Sequence, residues 1–420
     1  MSRDEQSLTR RCLLGAGAAG AAGLAGCTTL YPDTARPPDE RDWPMAGYDP
    51  AGTYHKPEVS GPTDEPEVVW SAGVDPVFTR PEPTLYDGTL FVTVADGTAA
   101  FDADGGSRVG TVGPRHTGAV AVVTESAYRD ATLVVPASDD PGRRLTGLGP
   151  PGLVGGRRWT YRGGRVVAAG DRGPLPVVVD GTAYVPTVTR TGDGRETAVV
   201  AVDGSDGRRR WRRTMSGAGD PPFRAVSRPS VDGDAVYVAG WFGGIQALDR
   251  ADGRRRWRRA DPFDGDGVRE CRPVAAPDGP VVVVGDEEIV ALAPGDGDRR
   301  WSRTTPEDVR YRPGGTPVAE GTVLVTREER EEDRLRALDV ETGDTRWTAA
   351  VDSGDETVTP VVADGTVYVA GRSRLVALDL DDGTPLFESS FEYPLGTPIV
   401  GDGRLYVAGF NTVYALEGSS

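Results

Sequence analysis

The sequence predicts an all-β protein, an eight-bladed β-propeller of four-stranded antiparallel blades. Three observations carry that expectation. A pattern A-x-D-x-x-x-G-x-x-x-W recurs with ten residues from alanine to aromatic every time; apolar runs opened by proline recur ahead of it; Asp-Gly turn signals separate short alternating segments.

The chain opens on a targeting segment that stands outside the fold. Arg10-Arg11 is a twin arginine followed by a weakly apolar stretch, Leu13 to Ala25, too short to span a bilayer. It runs into Leu24-Ala25-Gly26-Cys27, a lipobox in which small residues admit a peptidase and the Cys27 thiol takes the lipid. The expectation is export by the twin-arginine route, removal of residues 1–26, and a polar tether over 27–42 that holds the protein to the extracytoplasmic face of the cell membrane. Cys12 leaves with the signal, so Cys271 alone remains in the folded part and no disulfide framework is possible.

From Trp43 to the end the chain is repetitive. The clearest unit, residues 358–387, reads as strand, Asp364-Gly365 turn, strand, strand, glycine turn and outer strand. Inner strands are opened by Pro83, Pro176, Pro229, Pro273, Pro317, Pro360 and Pro398, and Ala119 to Val123 supplies one more inside a degenerate unit between Thr117 and Trp159. That makes eight. The last unit lacks an outer strand, whereas Val68-Val69-Trp70 has no blade of its own, so the N-terminal strand is expected to complete the C-terminal blade and close the ring. Trp211, Trp257, Trp301 and Trp347, with Phe387 in the fifth copy, are expected to cover the apolar edge between adjacent blades rather than to stack on a substrate.

Candidate ligand residues lie in the loops that lead from one blade's outer strand to the next inner strand. Arg224, Arg228, Arg269, Arg272, Arg310, Tyr311 and Arg312, with Arg115-His116 earlier, form a possible anion or ligand funnel at one mouth of the channel, because arginine pairs bidentately with carboxylate or phosphate. Glu270, Glu307 and Asp308 offer the alternative of ordinary surface ion pairs. The arginine runs around Trp211 and Trp257 read as a guard against edge-to-edge association, or as a docking patch for an acidic partner. The acidic run 328–333 lacks the alternating spacing of a calcium loop, and His55 and His116 have no ligand neighbours at metal spacing, so no metal is expected. No catalytic motif is present: neither a glycine-rich phosphate loop nor a G-x-S-x-G elbow occurs.

The repeat resembles the tryptophan-docking motif of the pyrroloquinoline-quinone (PQQ) repeat propellers, over nearly all of the chain from Trp43 onward. Trp43 to Pro50 also looks like the segment that opens such domains. The resemblance implies the quinoprotein alcohol dehydrogenase-like fold. It does not bring the cofactor: the alcohol dehydrogenases of that group clamp PQQ under a disulfide of adjacent cysteines beside calcium, and no such pair exists here. BamB-type lipoproteins of the same group are tethered, non-catalytic propellers that dock partners. The resemblance therefore implies a monomeric binding or scaffold module for other cell-surface or membrane proteins, with a quinoprotein-type oxidoreductase as the alternative.

Composition fits that setting. The 420 residues carry a net charge of −17, and of the 47 basic residues only Lys56 is lysine. Strong acidity with arginine in place of lysine resembles haloarchaeal proteins, and the negative field argues against wholesale binding of nucleic acid.

Overall fold

In the computed structural model the described residues are 35–419, apart from 76–81, 96, 114–118, 126–127, 140–141, 152–155, 167–174, 192–193, 216–226, 241–243, 264–270, 307–308, 312–313, 329–332 and 352–358. They form eight sheets, each built on an antiparallel four-stranded blade. Blades 1 to 7 span residues 84–112, 121–160, 177–214, 230–259, 272–304, 318–350 and 361–390. Each inner strand begins at the expected proline or within a residue of it, from Thr84–Tyr86 to Ile399–Gly401, and Ala121–Val123 supplies that of blade 2. Blade 8 joins the two ends of the chain: Pro66–Gly73 pairs antiparallel with Thr412–Gly418, so no blade is left with a missing strand. The closing strand is longer than the three residues expected, and it carries a β-bulge between Val68 and Trp70.

The repeated motif is a joint between blades. In blades 3 to 6 the alanine lies directly across from the tryptophan of the same blade, as in Ala247 opposite Trp257 and Ala337 opposite Trp347. The small side chain leaves the indole lying over its own sheet and reaching the next. There the ring packs beneath the motif glycine of the following blade. A Cβ on Gly253, Gly297, Gly343 or Gly383 would stand 2.6 Å from the ring of Trp211, Trp257, Trp301 or Trp347. Each indole N–H then donates to a carbonyl of that turn: Trp257 Nε1 to Pro294 O at 2.8 Å, Trp301 to Val340 O at 2.9 Å, Trp347 to Leu380 O at 2.7 Å. The glycine also needs its φ of about +70°, for example +75° at Gly297, so it is doubly constrained. Gly297→Ala should therefore lower stability by about 2–3 kcal/mol, read as a shift in the denaturation midpoint.

The motif aspartate organises the turn. Asp249 Oδ1 accepts the Ala251 N–H, while its Oδ2 accepts from Arg256 across the turn in the outer strand. Asp203 with Arg210 and Asp339 with Arg346 repeat the pair, and these contacts hold all three carboxyls below the usual aspartate range once their slight burial is overcome. Arg210 and Arg256 of the two arginine runs are thus paired within their own blades. Arg259 and Arg303 reach forward to the Gly297 and Gly343 carbonyls of the next blade.

Two further tryptophans make the same joint where the repeat is hard to read. Trp159 of blade 2 lies opposite Gly147, packs under Gly207 and donates to Gly204 O at 2.9 Å. Trp70 of the closing strand packs under Gly106 of blade 1 and donates to Ala103 O. Blade 7 uses Phe387, and blade 8, made of two separate stretches of chain, has no connecting turn whose carbonyl an indole N–H would need. In blade 1 Gly110 stands where the others have an aromatic. Ala35 packs into that seam with Tyr86, Phe91 and Val120.

Candidate functional site: an occupied channel

In a propeller of eight blades the inner strands leave a channel wide enough for a ligand. Here residues 42–56 lie in it. They carry no apolar periodicity, so they form no strand of their own beyond His55–Lys56, and their backbone groups are satisfied by the blades. The segment visits the inner strands in order. Trp43 exchanges two bonds with Leu85 of blade 1, and Pro44 O accepts from Val122 of blade 2. Ala46 packs on Ala119 and on Leu175 just before blade 3. Pro50 O accepts from Val231 of blade 4, and Ala51 packs on the blade 5 cluster that includes Cys271. Thr53 O and Tyr54 O accept from Val318 and Val362 of blades 6 and 7, where His55–Lys56 pairs parallel with Val361–Ala363. Lys56 Nζ reaches Val400 O of blade 8 at 2.9 Å.

Four left-handed residues let so short a segment turn through a circle: Gly47, Tyr48, Gly52 and Tyr54 all have φ between +50° and +81°. Buried charges fasten it. Glu82 accepts from Gly47 N at 2.6 Å and from Trp43 Nε1 at 3.2 Å. Asp49 accepts from the backbone of Gly52 and Thr53 and from the Thr53 hydroxyl, and burial pushes its carboxyl up despite those bonds. Arg228 donates to Asp49 O at 2.7 Å and lies where side chains on Gly47 and Gly52 would be. Burial, with Arg272 nearby, pulls that guanidinium down, and Tyr54, Asp49 and Glu82 oppose the shift.

Lys56, the one lysine of the chain, is 1% exposed. Its Nζ also donates to Asp42 O at 2.9 Å and stands 5.7 Å from the centre of the Tyr48 ring. Burial pulls its pKa from 10.5 down to about 8, against the carboxylates of Asp42, Asp39 and Asp402. A guanidinium is too broad for a donor wedged between two carbonyls, which accounts for lysine at this one position in an arginine protein. His55 is half-buried, 3.9 Å from Glu320 Oε1, and burial lowers its pKa.

The funnel residues divide accordingly. Arg228 is an anchor of the channel segment, and Arg272 lies in the inner strand of blade 5. Arg310 and Tyr311 form a short strand paired with Thr322–Glu328 of blade 6: Arg310 makes an exposed ion pair with Glu287, and Tyr311 is buried with its hydroxyl 3.5 Å from Arg336. Arg224, Arg269 and Arg312, like Arg115 and His116, lie outside the described residues, as do Arg10, Arg11 and Cys27 and most of the acidic run. Of the stretch read as tether, residues 35–42 are among the described ones. Within it Ala35 and Asp42 are buried, Arg36 bonds to Asp42 and Asp87, and Tyr86 Oη donates to Arg36 O. The channel segment itself was missed, its signal being only the pair of glycines and prolines around Tyr48 and Asp49.

Comparison with known proteins agrees with this architecture. The family model described as outer membrane protein assembly factor BamB, built on PQQ-like repeats, matches residues 97–284, 153–331 and 331–420. The chain belongs to that PQQ-like repeat family. No curated protein matches it in sequence. Among solved structures it is similar to the quinohemoprotein alcohol dehydrogenase of Comamonas testosteroni, at 15% identity and a TM-score of 0.66, over 90% of this chain and 81% of that one. It is also similar to a europium-containing methanol dehydrogenase, at 14% identity and 0.64, over 90% and 98%. The computationally designed Ika8 protein gives 11%, 0.60, 82% and 98%. At these identities the likeness is one of fold.

The PQQ-like repeat family raises the question of a quinone with calcium. Among the described residues no group of three or more His, Cys, Asp or Glu side chains is placed to hold a metal ion, and Cys271 is a single buried thiol. The carboxylates in the channel, Glu82 and Asp49, already accept from the chain's own N–H groups.

Proposed function

We propose that this protein is an extracytoplasmic, lipid-anchored propeller that acts as a non-catalytic docking or scaffold module for proteins at the cell surface. The observation that carries the reading is the channel: the place where a propeller of this size would hold a small ligand is filled by residues 42–56, bonded to six of the eight blades. What remains for recognition is the outer surface, which suits a macromolecular partner better than a small substrate. The twin arginine and the cysteine at 27 support export and anchoring. The fold it shares with dehydrogenases keeps an oxidoreductase as the second reading.

Reconstitution tests the two against each other. The full-length protein incubated with PQQ and calcium should release all quinone absorbance on gel filtration and oxidise no alcohol or sugar with a dye acceptor. Retained quinone with turnover would overturn the scaffold reading. Anchoring has its own test: Cys27→Ser should move the protein from the membrane to the soluble fraction.

A further inference from the structure

The residue just before the docking aromatic occupies the same place on the outer strand of every blade. In blades 2 to 6 it is arginine: Arg158, Arg210, Arg256, Arg300 and Arg346. In blades 7, 8 and 1 it is Leu386, Val69 and Val109, which are neighbours around the closed ring. These side chains are 40%, 45% and 54% exposed, and the bulge in the closing strand turns Val68 outward as well, at 51%. Four of the six large apolar side chains most exposed among the described residues thus lie on one arc of the rim. Flanking charges are paired there, Arg374 with Glu388 and Arg404 with Glu417. In blades 3, 4 and 6 this arginine pairs with the turn aspartate; blades 7 and 1 keep the aspartate, Asp379 and Asp102, yet present an apolar side chain to solvent in the arginine's place, and such a grouping marks a surface that leaves water.

The start of the described chain lies beside one end of this arc. Ala35 and Arg36 pack on blade 1, so only residues 28–34 separate that anchorage from Cys27. Fully extended, this stretch reaches about 28 Å. The outer edge of blade 1 lies three strand spacings from its inner strand, about 14 Å. A lipid on Cys27 can therefore stand beside Val109, whereas the arginine rim of blades 4 and 5 lies across the ring. We propose that the apolar arc of blades 7, 8 and 1 rests on the membrane surface, so that the propeller stands on its rim with the arginine-bearing arc facing away. The inference rests on the anchoring reading above and gives it an orientation.

Fluorophores on Val109→Cys and, separately, on Arg300→Cys of the full lipidated chain, in vesicles of the host's polar lipids, test it. A lipid-borne quencher should quench the label at 109 and leave the label at 300 near its level without vesicles. The second variant restores the repeat's own residue on the arc, V69R with V109R and L386R, which five blades already tolerate. In the full-length Cys27→Ser background it should weaken residual vesicle association by about tenfold or more. Equal quenching at 109 and 300, or no effect of the three arginines, would overturn the orientation. Failure of anchoring reads differently: mass spectrometry would find no lipid on Cys27.

Discussion

Trp301→Ala should destabilise the propeller by about 3–5 kcal/mol, while Trp301→Phe should cost about 1–2 kcal/mol. The alanine variant loses the packing of the ring under Gly343 and opens a void in the seam between blades 5 and 6, where Trp301 is 7% exposed. The phenylalanine variant keeps most of the covering area and loses the bond from Nε1 to Val340 O. Blade 7 shows the phenyl form in nature, at a seam whose far side has no turn to accept from an indole. Chemical denaturation of the two variants separates packing from hydrogen bonding. Equal costs would mean that the indole N–H, and not the buried ring, holds the seam.

The second large effect belongs to Lys56 and depends on pH. Its folded-state pKa of about 8 lies below the unfolded value of 10.5. Below pH 8 both states hold the proton, and the cost of burying the charge is present in full. Between pH 8 and 10.5 the unfolded chain binds more protons than the folded one, so stability must rise with pH across that window. A shift of this size corresponds to about 3 kcal/mol. The neutral amine still has two N–H groups for the two carbonyls of Asp42 and Val400, so relief of the charge does not cost the contacts. Measured as the difference between the natural protein and Lys56→Met, which cancels the titration of every other group, the natural protein should gain about 3 kcal/mol from pH 7 to 10.5. A difference that stays flat would show that Lys56 is solvated and that the segment does not seal the channel.

The blades were legible because their signals are local. Proline, Asp-Gly turns and alternation fall within each unit, and the closing strand announced itself as an outer strand without a blade. The joint between blades was half legible. Trp257 and Gly297 carry the contact yet belong to successive copies of the repeat, so the glycine reads in sequence only as a turn. Trp159 escaped the pattern because blade 2 puts twelve residues, not ten, between it and its cross-strand partner Gly147. The path of the channel segment was not legible. Its backbone bonds go to residues up to about three hundred positions away, as with Tyr54 and Val362, and no periodicity encodes a path around a ring. Arg228 was singled out for its charge, and that charge binds the chain's own carbonyls.

The central claim is that the channel is filled by the chain itself, and hydrogen exchange reads it directly. The amides of Val122, Val231, Val318 and Val362 have their partners on residues 44–54 and on no neighbouring strand. They should exchange as slowly as the ladder amide of Val283 in the middle of blade 5. Rapid exchange at these four positions, with Val283 still protected, would show an open channel and contradict the account.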